Sequence, residues 1–215
     1  MRDYSCIAEA PQHILLIKEW LMSPNFLPSN RIAEAVELAI TLQGEQTRKA
    51  TGIPYLSHLL GVASLVMEHS GDEEQTIAAL LHDAIEDAGA YAEAVIREQF
   101  GERVVRIVLA CTDGVPDEQG EKGDWQIRKQ NYLAHLAEAP VEVLLVSGCD
   151  KLHNARAIVS DLYTHGPAMF SRFKAGQAGT LWYYEQLAGA FQAHLPGSLA
   201  DELARTVADL KRLAS

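Results

Sequence analysis

The chain has 215 residues, 48% hydrophobic and 22% charged, which is enough for one sizeable core or at most two small ones. Its net charge of −11 leaves no basic surplus to neutralise phosphates, which argues against nucleic-acid binding as a main role. Three cysteines without metal-type spacing, no signal pattern and no membrane-length apolar run lead us to expect a soluble cytoplasmic protein.

Apolar residues recur every three or four positions along most of the chain, a pattern typical of amphipathic helices. In the first half they predict helices over 12–22, 31–42 and 57–69, and a central helix that begins at Glu73 or Glu74 and ends at Gly89. Residues 43–56 are polar and irregular and include the adjacent cations Arg48 and Lys49. Taken alone, this segment indicates an ordinary solvated loop.

The central predicted helix carries four ionisable residues directly after the apolar stretch Ala78–Leu81. His82 and Glu86 are four residues apart, which places their side chains together on one helical face. Asp83 lies three residues from Glu86 and four from Asp87, so it neighbours both. Three carboxylates and an imidazole repel one another there, and a divalent cation is the simplest group that resolves the repulsion. The alternative is a solvated helix end with scattered charges.

The second half of the chain continues the helical periodicity. It predicts helices over 91–100, 102–111, 125–136, 140–156, 181–194 and 199–213. Residues 161–180 are expected to be irregular, and the loop over 113–124 is either a lid or a surface loop. No strand-pairing pattern is present, so the expected fold is all-α, with roughly ten helices in one domain over 1–215. The first and last predicted helices either cover the core or form a dimer interface.

Asp150 follows a second apolar run that ends in charge, and we expect it to share a metal site with His58, His82 and Asp83. Two imidazoles and two carboxylates suit Mn²⁺, Fe²⁺, Zn²⁺ or Mg²⁺, and the thiolates of a structural zinc site are missing. Such a metal lowers the pKa of bound water and polarises a phosphoryl oxygen.

Charged residues close to the expected ligands point to a reaction and a substrate class. Glu86 and Asp87 are candidates for positioning water and for acid–base catalysis, with outer-sphere support or plain solvation as the alternative. Arg48, Lys49 and Lys151 would supply the positive charge that an anionic phosphate substrate needs in so acidic a protein.

Four longer strings carry a resemblance to a known family. The order of the histidines and aspartates resembles the HD-domain metal phosphohydrolases. The strings QTRK at 46–49, PYLSH at 54–58, HDAIED at 82–87 and DKLHN at 150–154 resemble the hydrolase domain of the RelA/SpoT family. That domain removes the 3′-pyrophosphate from the alarmones ppGpp and pppGpp. The resemblance covers about 31–190 and implies a stand-alone HD domain with that core.

The same resemblance implies the cofactor and the residue roles. Mn²⁺ would be held by His58, His82, Asp83 and Asp150, with Glu86 and Asp87 as the catalytic pair. Nucleotide binding would fall to Arg48, Lys49 and Asn154, with Lys151 nearby and Tyr183 as a further phosphate contact. Gln177 departs from the pattern, because related small hydrolases often carry a cation there.

The leading hypothesis is Mn²⁺-dependent hydrolysis of (p)ppGpp to GDP or GTP plus pyrophosphate. A second hypothesis keeps the fold and the metal but assigns another nucleotide, or NADPH, as the substrate. A third is a metal-binding or alarmone-sensing module that binds without turnover.

Overall fold

The computed structural model describes residues 26–49, 51–112, 114 and 123–215. Within these ranges it contains no strand and nine α-helices: α1 (Asn30–Gln43), α2 (Leu56–Glu68), α3 (Glu73–Leu81), α4 (Ala84–Phe100), α5 (Glu102–Cys111), α6 (Trp125–Leu136), α7 (Val141–His165), α8 (Gly176–His194) and α9 (Ser198–Ala214). A 3₁₀ segment, Gly166–Arg172, connects α7 to α8. The predicted all-α fold is therefore confirmed. The helix predicted over 12–22 lies outside the described residues, as does most of the 113–124 loop.

Helix α3 is the buried centre of the fold. Every residue from Gln75 to Leu81 is buried, because α3 packs against α1, α2, α5 and α7. A helix that is apolar around its whole circumference is stable only inside a protein. The 25-residue helix α7 is the second organising element and packs against α2, α5, α8 and α9. No helix within the described ranges is long and apolar enough to cross a bilayer.

The central helix is not continuous to Gly89 as predicted. Helix α3 ends at Leu81, and α4 begins at Ala84 after a turn formed by His82 and Asp83. Successive side chains on a regular helix diverge by about 100°, whereas here Nε2 of His82 lies 3.0 Å from Oδ2 of Asp83. The break lets both side chains face one point. Gly89 is a kink inside α4, with a φ of 59° that glycine adopts without strain.

The prediction that residues 161–180 are irregular is wrong over most of that range. Helix α7 continues to His165, the 3₁₀ segment follows, and α8 already begins at Gly176. The cause is tertiary packing, because Leu162, Met169 and Phe170 are all buried in the core. The sequence signals at Gly166 and Pro167 mark only the change from α-helix to 3₁₀-helix.

An ion-pair cluster fixes the start of α3. Asp72 caps α3 by accepting a hydrogen bond from the backbone of Gln75, whose side chain accepts one from the backbone of Asp72. The Arg103 guanidinium from α5 lies 2.8 Å from the Asp72 carboxylate, 3.0 Å from that of Glu74 and 2.9 Å from that of Glu142 on α7. Three helices are thereby held in register at the end of α3 opposite to His82.

Replacing Asp72 tests this cap. We expect Asp72→Ala to lower the free energy of unfolding by about 1 kcal/mol, and Asp72→Asn by less, because an amide oxygen still caps the helix. Burial raises the pKa of Asp72, but Arg103 and the cap hydrogen bonds lower it by more, so the pKa lies below its ordinary value. The stability that the ionised Asp72 contributes is therefore fully present at pH values above the ordinary pKa of a carboxylate. It is lost as the pH falls through the lowered pKa of the folded state.

Urea unfolding at several pH values measures both effects. Glu98→Ala, an exposed position on α4, is the control, and we expect it to change stability by less than about 0.5 kcal/mol. Equal losses for Asp72→Ala and Glu98→Ala would show that the cap does not stabilise α3.

Candidate active site

The candidate site lies where the chain leaves α3, opposite the start of α2 and the middle of α7. His82 follows the last residue of the buried helix α3, His58 lies in the first turns of α2, and Asp150 faces them from α7. One ligand atom from each of these three side chains lies within 4.8 Å of the other two, and all three residues are buried. Three of the four predicted metal ligands thus form a compact cluster.

Asp83, the fourth predicted ligand, lies beside this cluster. Its Oδ2 is 3.0 Å from Nε2 of His82 and 4.0 Å from Nε2 of His58. The Tyr55 hydroxyl donates a hydrogen bond to the same carboxylate. On the other side, Oδ1 of Asp150 is 3.2 Å from Nε2 of His58 and 3.6 Å from Nε2 of His82. Asp83 therefore lies close to both imidazole nitrogens, but outside the group of three whose ligand atoms are all within 4.8 Å of one another.

The protonation of His82 shows what this cluster can hold. Its Nδ1 lies 2.8 Å from the carbonyl oxygen of Ala79, so Nδ1 carries the proton of the neutral ring and Nε2 presents a lone pair. This Nε2 is buried and makes no hydrogen bond within the described residues. A lone pair facing two carboxylates is unfavourable unless a cation or a proton lies between them. The donors present therefore fit a divalent cation.

The electrostatics of the cluster support the same interpretation. Burial lowers the pKa of His82, but the Asp83 and Asp150 carboxylates outweigh burial and raise it well above its ordinary value. Burial raises the pKa of Asp150, yet the Lys151 ammonium and the two imidazoles hold it well below its ordinary range. Asp150 is consequently an ionised carboxylate in a buried position, the condition in which proteins pair a charge or bind a metal.

A chain of hydrogen bonds leads from Asp150 to the predicted substrate-binding residues. Lys151 donates from Nζ to Oδ2 of Asp150, and Asn154 donates from Nδ2 to Oδ1, both over 2.6 Å. Arg48 in turn donates from a guanidinium nitrogen to Oδ1 of Asn154 over 3.0 Å. The loop that carries Arg48 is closed by a β-bridge between Thr47 and Pro54. Loop and helix α7 are therefore joined at the site.

The two predicted catalytic carboxylates lie in the first turn of α4. A helix N-terminus favours negative charge there, because its free N–H groups carry partial positive charge. Glu86 is half-buried and lines the cavity next to the cluster. Asp87 is exposed and accepts hydrogen bonds from Nε2 of Gln43 over 2.6 Å and from Nε2 of Gln46 over 3.2 Å. Their catalytic roles remain predictions.

A cavity of about 1070 Å³ opens in front of the cluster, large enough for a phosphorylated nucleotide. Eight of the residues singled out from the sequence line it: Lys49, Asp83, Glu86, Asp87, Asp150, Lys151, Asn154 and Tyr183. His58 and His82 lie behind this wall, where the core restricts their movement. The nitrogen of the Gln177 side chain donates to the carbonyl oxygen of Ala214 over 2.8 Å, and Gln177 does not line the cavity.

Sequence reasoning did not assign a role to one group of residues that lines the cavity. Trp125, Arg128 and Lys129 on α6 belong to this group, together with Lys174. The Lys129 ammonium lies 4.8 Å from the ring centroid of Tyr183, and the Trp125 ring lies 6.0 Å from it. The adjacent cations Arg128 and Lys129 in so acidic a chain could have indicated an anion-binding surface. They were not assigned to the site because they lie far in sequence from the predicted metal ligands.

Comparisons with known proteins agree with the fold and the site. Residues 35–181 match the HD domain family. The chain is 37% identical over 131 residues to a guanosine-3′,5′-bis(diphosphate) 3′-pyrophosphohydrolase of Aquifex aeolicus, which covers 60% of this chain and 18% of that one. It is 30% identical over 158 residues to a GTP pyrophosphokinase of Brucella ovis, which covers 74% and 20%. The chain thus spans about a fifth of the length of these relatives.

Two solved structures share the fold over most of the chain. A metazoan ortholog of SpoT, described as hydrolysing ppGpp, has a TM-score of 0.70 at 23% identity and covers 88% of this chain and 99% of that one. The protein lmo0812 from Listeria monocytogenes EGD-e has a TM-score of 0.61 at 30% identity and covers 77% and 100%. The first likeness, at 23% identity, shows the fold alone.

Metal-linked stability tests whether the cluster binds a cation. A ligand of the folded chain raises the free energy of unfolding by about 2.7 kcal/mol at a free concentration of 100 times its Kd. We expect Mn²⁺ to give this gain in the wild-type chain and Asp150→Asn to lose most of it. Urea midpoints with Mn²⁺ and with a chelator measure the gain for each variant. Glu138→Gln, exposed between α6 and α7, should keep the wild-type gain, and an equal gain in Asp150→Asn would assign binding to another site.

Proposed function

The chain belongs to the HD domain family, and from this premise we propose that it is a metal-dependent (p)ppGpp 3′-pyrophosphohydrolase. The products would be GDP or GTP plus pyrophosphate. The observation that carries the proposal is the buried cluster of His58, His82 and Asp150, with the Asp83 carboxylate beside it, at a nucleotide-sized cavity. Relatives named as pyrophosphohydrolases of this alarmone support the choice of substrate. The whole range 1–215 would be one functional domain.

We propose Mn²⁺ as the metal, held by His58, His82, Asp83 and Asp150. A bound divalent cation would polarise a phosphoryl oxygen and lower the pKa of a water molecule. The same nitrogen and oxygen donors also fit Fe²⁺, Zn²⁺ and Mg²⁺, so the order of activity among these ions tests the assignment. Lys151 and Asn154 would keep Asp150 oriented and ionised, since both donate to its carboxylate.

The carboxylates of α4 would position the attacking water and accept its proton. The bond formed joins a water oxygen to the phosphorus next to the ribose 3′-oxygen, and the bond broken joins that phosphorus to the 3′-oxygen. Glu86, half-buried in the cavity wall, would accept the proton of the water, and the departing 3′-oxygen would take up a proton. Asp87, held by the amides of Gln43 and Gln46, would orient the water beside it.

Cations that line the cavity, together with Arg48 in the loop beside it, would bind the phosphates and the nucleoside. One guanidinium nitrogen of Arg48 is bonded to Asn154, while the other, Nη1, is buried and has no hydrogen-bond partner among the described residues. Lys49 would contribute a second positive charge, and Tyr183 would contribute its ring to the binding surface of the cavity. Arg128 and Lys129 would receive the phosphates that extend away from the cluster. These local charges offset the net charge of −11 that otherwise repels an anion.

Replacement of Glu86 tests the proposed proton acceptor. We expect Glu86→Gln to lower kcat for ppGpp by about 10²–10⁴-fold, the range for loss of a general base, while Mn²⁺ still binds. Asp83→Ala should lose both Mn²⁺ binding and turnover. Pyrophosphate release and direct metal titration measure the two properties separately, with the exposed variant Glu98→Gln as the control. Unchanged turnover in Glu86→Gln would remove this residue from the mechanism.

Replacement of Arg48 tests the nucleotide clamp. A hydrogen bond to a charged group contributes about 1.5–3 kcal/mol, so Arg48→Gln should reduce kcat/KM by about 10–100-fold, mainly through KM. Arg48→Lys should recover only part of this, because an ammonium cannot reproduce the planar fork of the guanidinium. Arg97→Gln, on the exposed face of α4, is the control. A loss confined to kcat would contradict a role in binding.

A substrate panel separates the leading proposal from its alternatives. Mn²⁺-dependent pyrophosphate release from ppGpp supports the proposal. Turnover of another nucleotide or of NADPH alone would keep the fold and metal but replace the substrate. Tight binding of ppGpp without product release would indicate a sensing module.

A further inference from the structure

We propose that His153 is a positioning residue that accepts the Nδ1 proton of His58 and so keeps the Nε2 lone pair of His58 available to the metal. This inference rests on the metal site of the proposed function. His153 lies on α7, one turn after Asp150, and its ring faces that of His58 with the centroids 4.9 Å apart. Neither composition nor motif spacing gave it a role of its own.

The distance between the two rings requires one shared proton. Nδ1 of His58 and Nδ1 of His153 are 2.9 Å apart, a hydrogen-bond distance at which one nitrogen donates and the other accepts. If His153 donates, a neutral His58 must carry its own proton on Nε2, which then cannot bind a cation. If His58 donates, its Nε2 presents a lone pair towards Oδ1 of Asp150, 3.2 Å away. Only the second arrangement is compatible with His58 as a ligand, so His153 must accept.

Gly61 makes room for this partner. It lies on α2, three residues after His58, and a Cβ atom placed on it would come within 2.2 Å of Nε2 and 2.4 Å of Cδ2 of His153. Any side chain at position 61 would therefore push the His153 ring out of its place. Glycine weakens the interior of a helix, and α2 keeps it at the one position where the imidazole of His153 approaches.

The two histidine ligands differ in how their protonation is fixed. Nδ1 of His82 donates to the carbonyl oxygen of Ala79, which is an acceptor only and leaves no choice of tautomer. Nδ1 of His58 instead meets a second imidazole, which is able to donate as well as accept. The orientation and tautomer of His58 consequently depend on a side chain that a substitution can remove. Partners of this kind typically affect metal affinity by about 10–100-fold.

A matched pair of variants tests the inference on the full chain without substrate. Leu and Asn have nearly the same shape, but only the Asn side chain offers an oxygen close to the position of the lost Nδ1. We expect His153→Leu to weaken Mn²⁺ binding by about 10–100-fold and His153→Asn to remain within about threefold of wild type. Nitrogen-15 spectra of the Zn²⁺-loaded chains, which are diamagnetic, should show the His58 Nδ1 proton held in a hydrogen bond in the wild type and in His153→Asn, and open to exchange with solvent in His153→Leu.

Gly61→Ala supplies a second, independent test. We expect it to weaken Mn²⁺ binding when His153 is present, because the added methyl group displaces the ring. In a His153→Ala background it should have no further effect, and this loss of additivity identifies the contact. The added methyl group itself favours helix formation, so weaker metal binding together with unchanged unfolding of the metal-free chain excludes general destabilisation.

The outcomes separate this inference from the proposed function. Equal Mn²⁺ affinities for wild type and His153→Leu would overturn the inference, as would equal losses in His153→Leu and His153→Asn. Wild-type Mn²⁺ binding with the predicted pattern of variants, but without pyrophosphate release from ppGpp, would support His153 while removing the proposed substrate.

Discussion

Two buried imidazoles and the buried carboxylate of Asp150 meet inside this chain, with the half-buried carboxylate of Asp83 beside them, and these groups are compatible with one another only if positive charge lies between them. Nδ1 of His82 is committed to the Ala79 carbonyl, so Nε2 is the nitrogen that can bind a cation or a proton there. The pKa of Asp150 stays well below its ordinary value despite burial, because the Lys151 ammonium and the two imidazoles favour the charged carboxylate. In a low-dielectric interior such an arrangement is costly unless a cation compensates it. The rest of the fold holds these four groups in place.

The sequence predicted most of the described helices and singled out His58, His82 and Asp150, which the structure brings together, but it did not show how the helices place these side chains. His82 and Asp83 were placed on one regular helix, where successive side chains diverge. The break between α3 and α4 is a tertiary effect, since α3 is buried on every side and the chain must turn to leave the core. The same limitation explains residues 161–180, where burial of Met169 and Phe170 ordered a stretch rich in turn-forming residues. Periodicity detects amphipathic elements and does not detect contacts between distant elements.

Local strings gave the ligands because each string lies within one or two helical turns. The PYLSH string contains both Tyr55, which donates to Asp83, and His58, and the DKLHN string contains Asp150, Lys151 and Asn154. The residues of α6 that line the cavity do not belong to any such string. Arg128 and Lys129 come into the cavity only because α6 packs on α8, beside the Tyr183 ring. Residues that act through long-range packing are therefore the ones that a single sequence does not reveal.

Asn154 joins the loop that carries Arg48 to Asp150 through one amide. Its nitrogen donates to Asp150 while its oxygen accepts from Arg48. Because an amide plane is rigid, these two hydrogen bonds fix the position of the Arg48 guanidinium relative to the Asp150 carboxylate. A hydroxyl in place of the amide could not span both partners, and a carboxylate could not donate to Asp150. The asymmetry of an amide, a donor on one side and an acceptor on the other, is what this position requires. The loop with Arg48 and the helix with Asp150 thereby act as one structural unit.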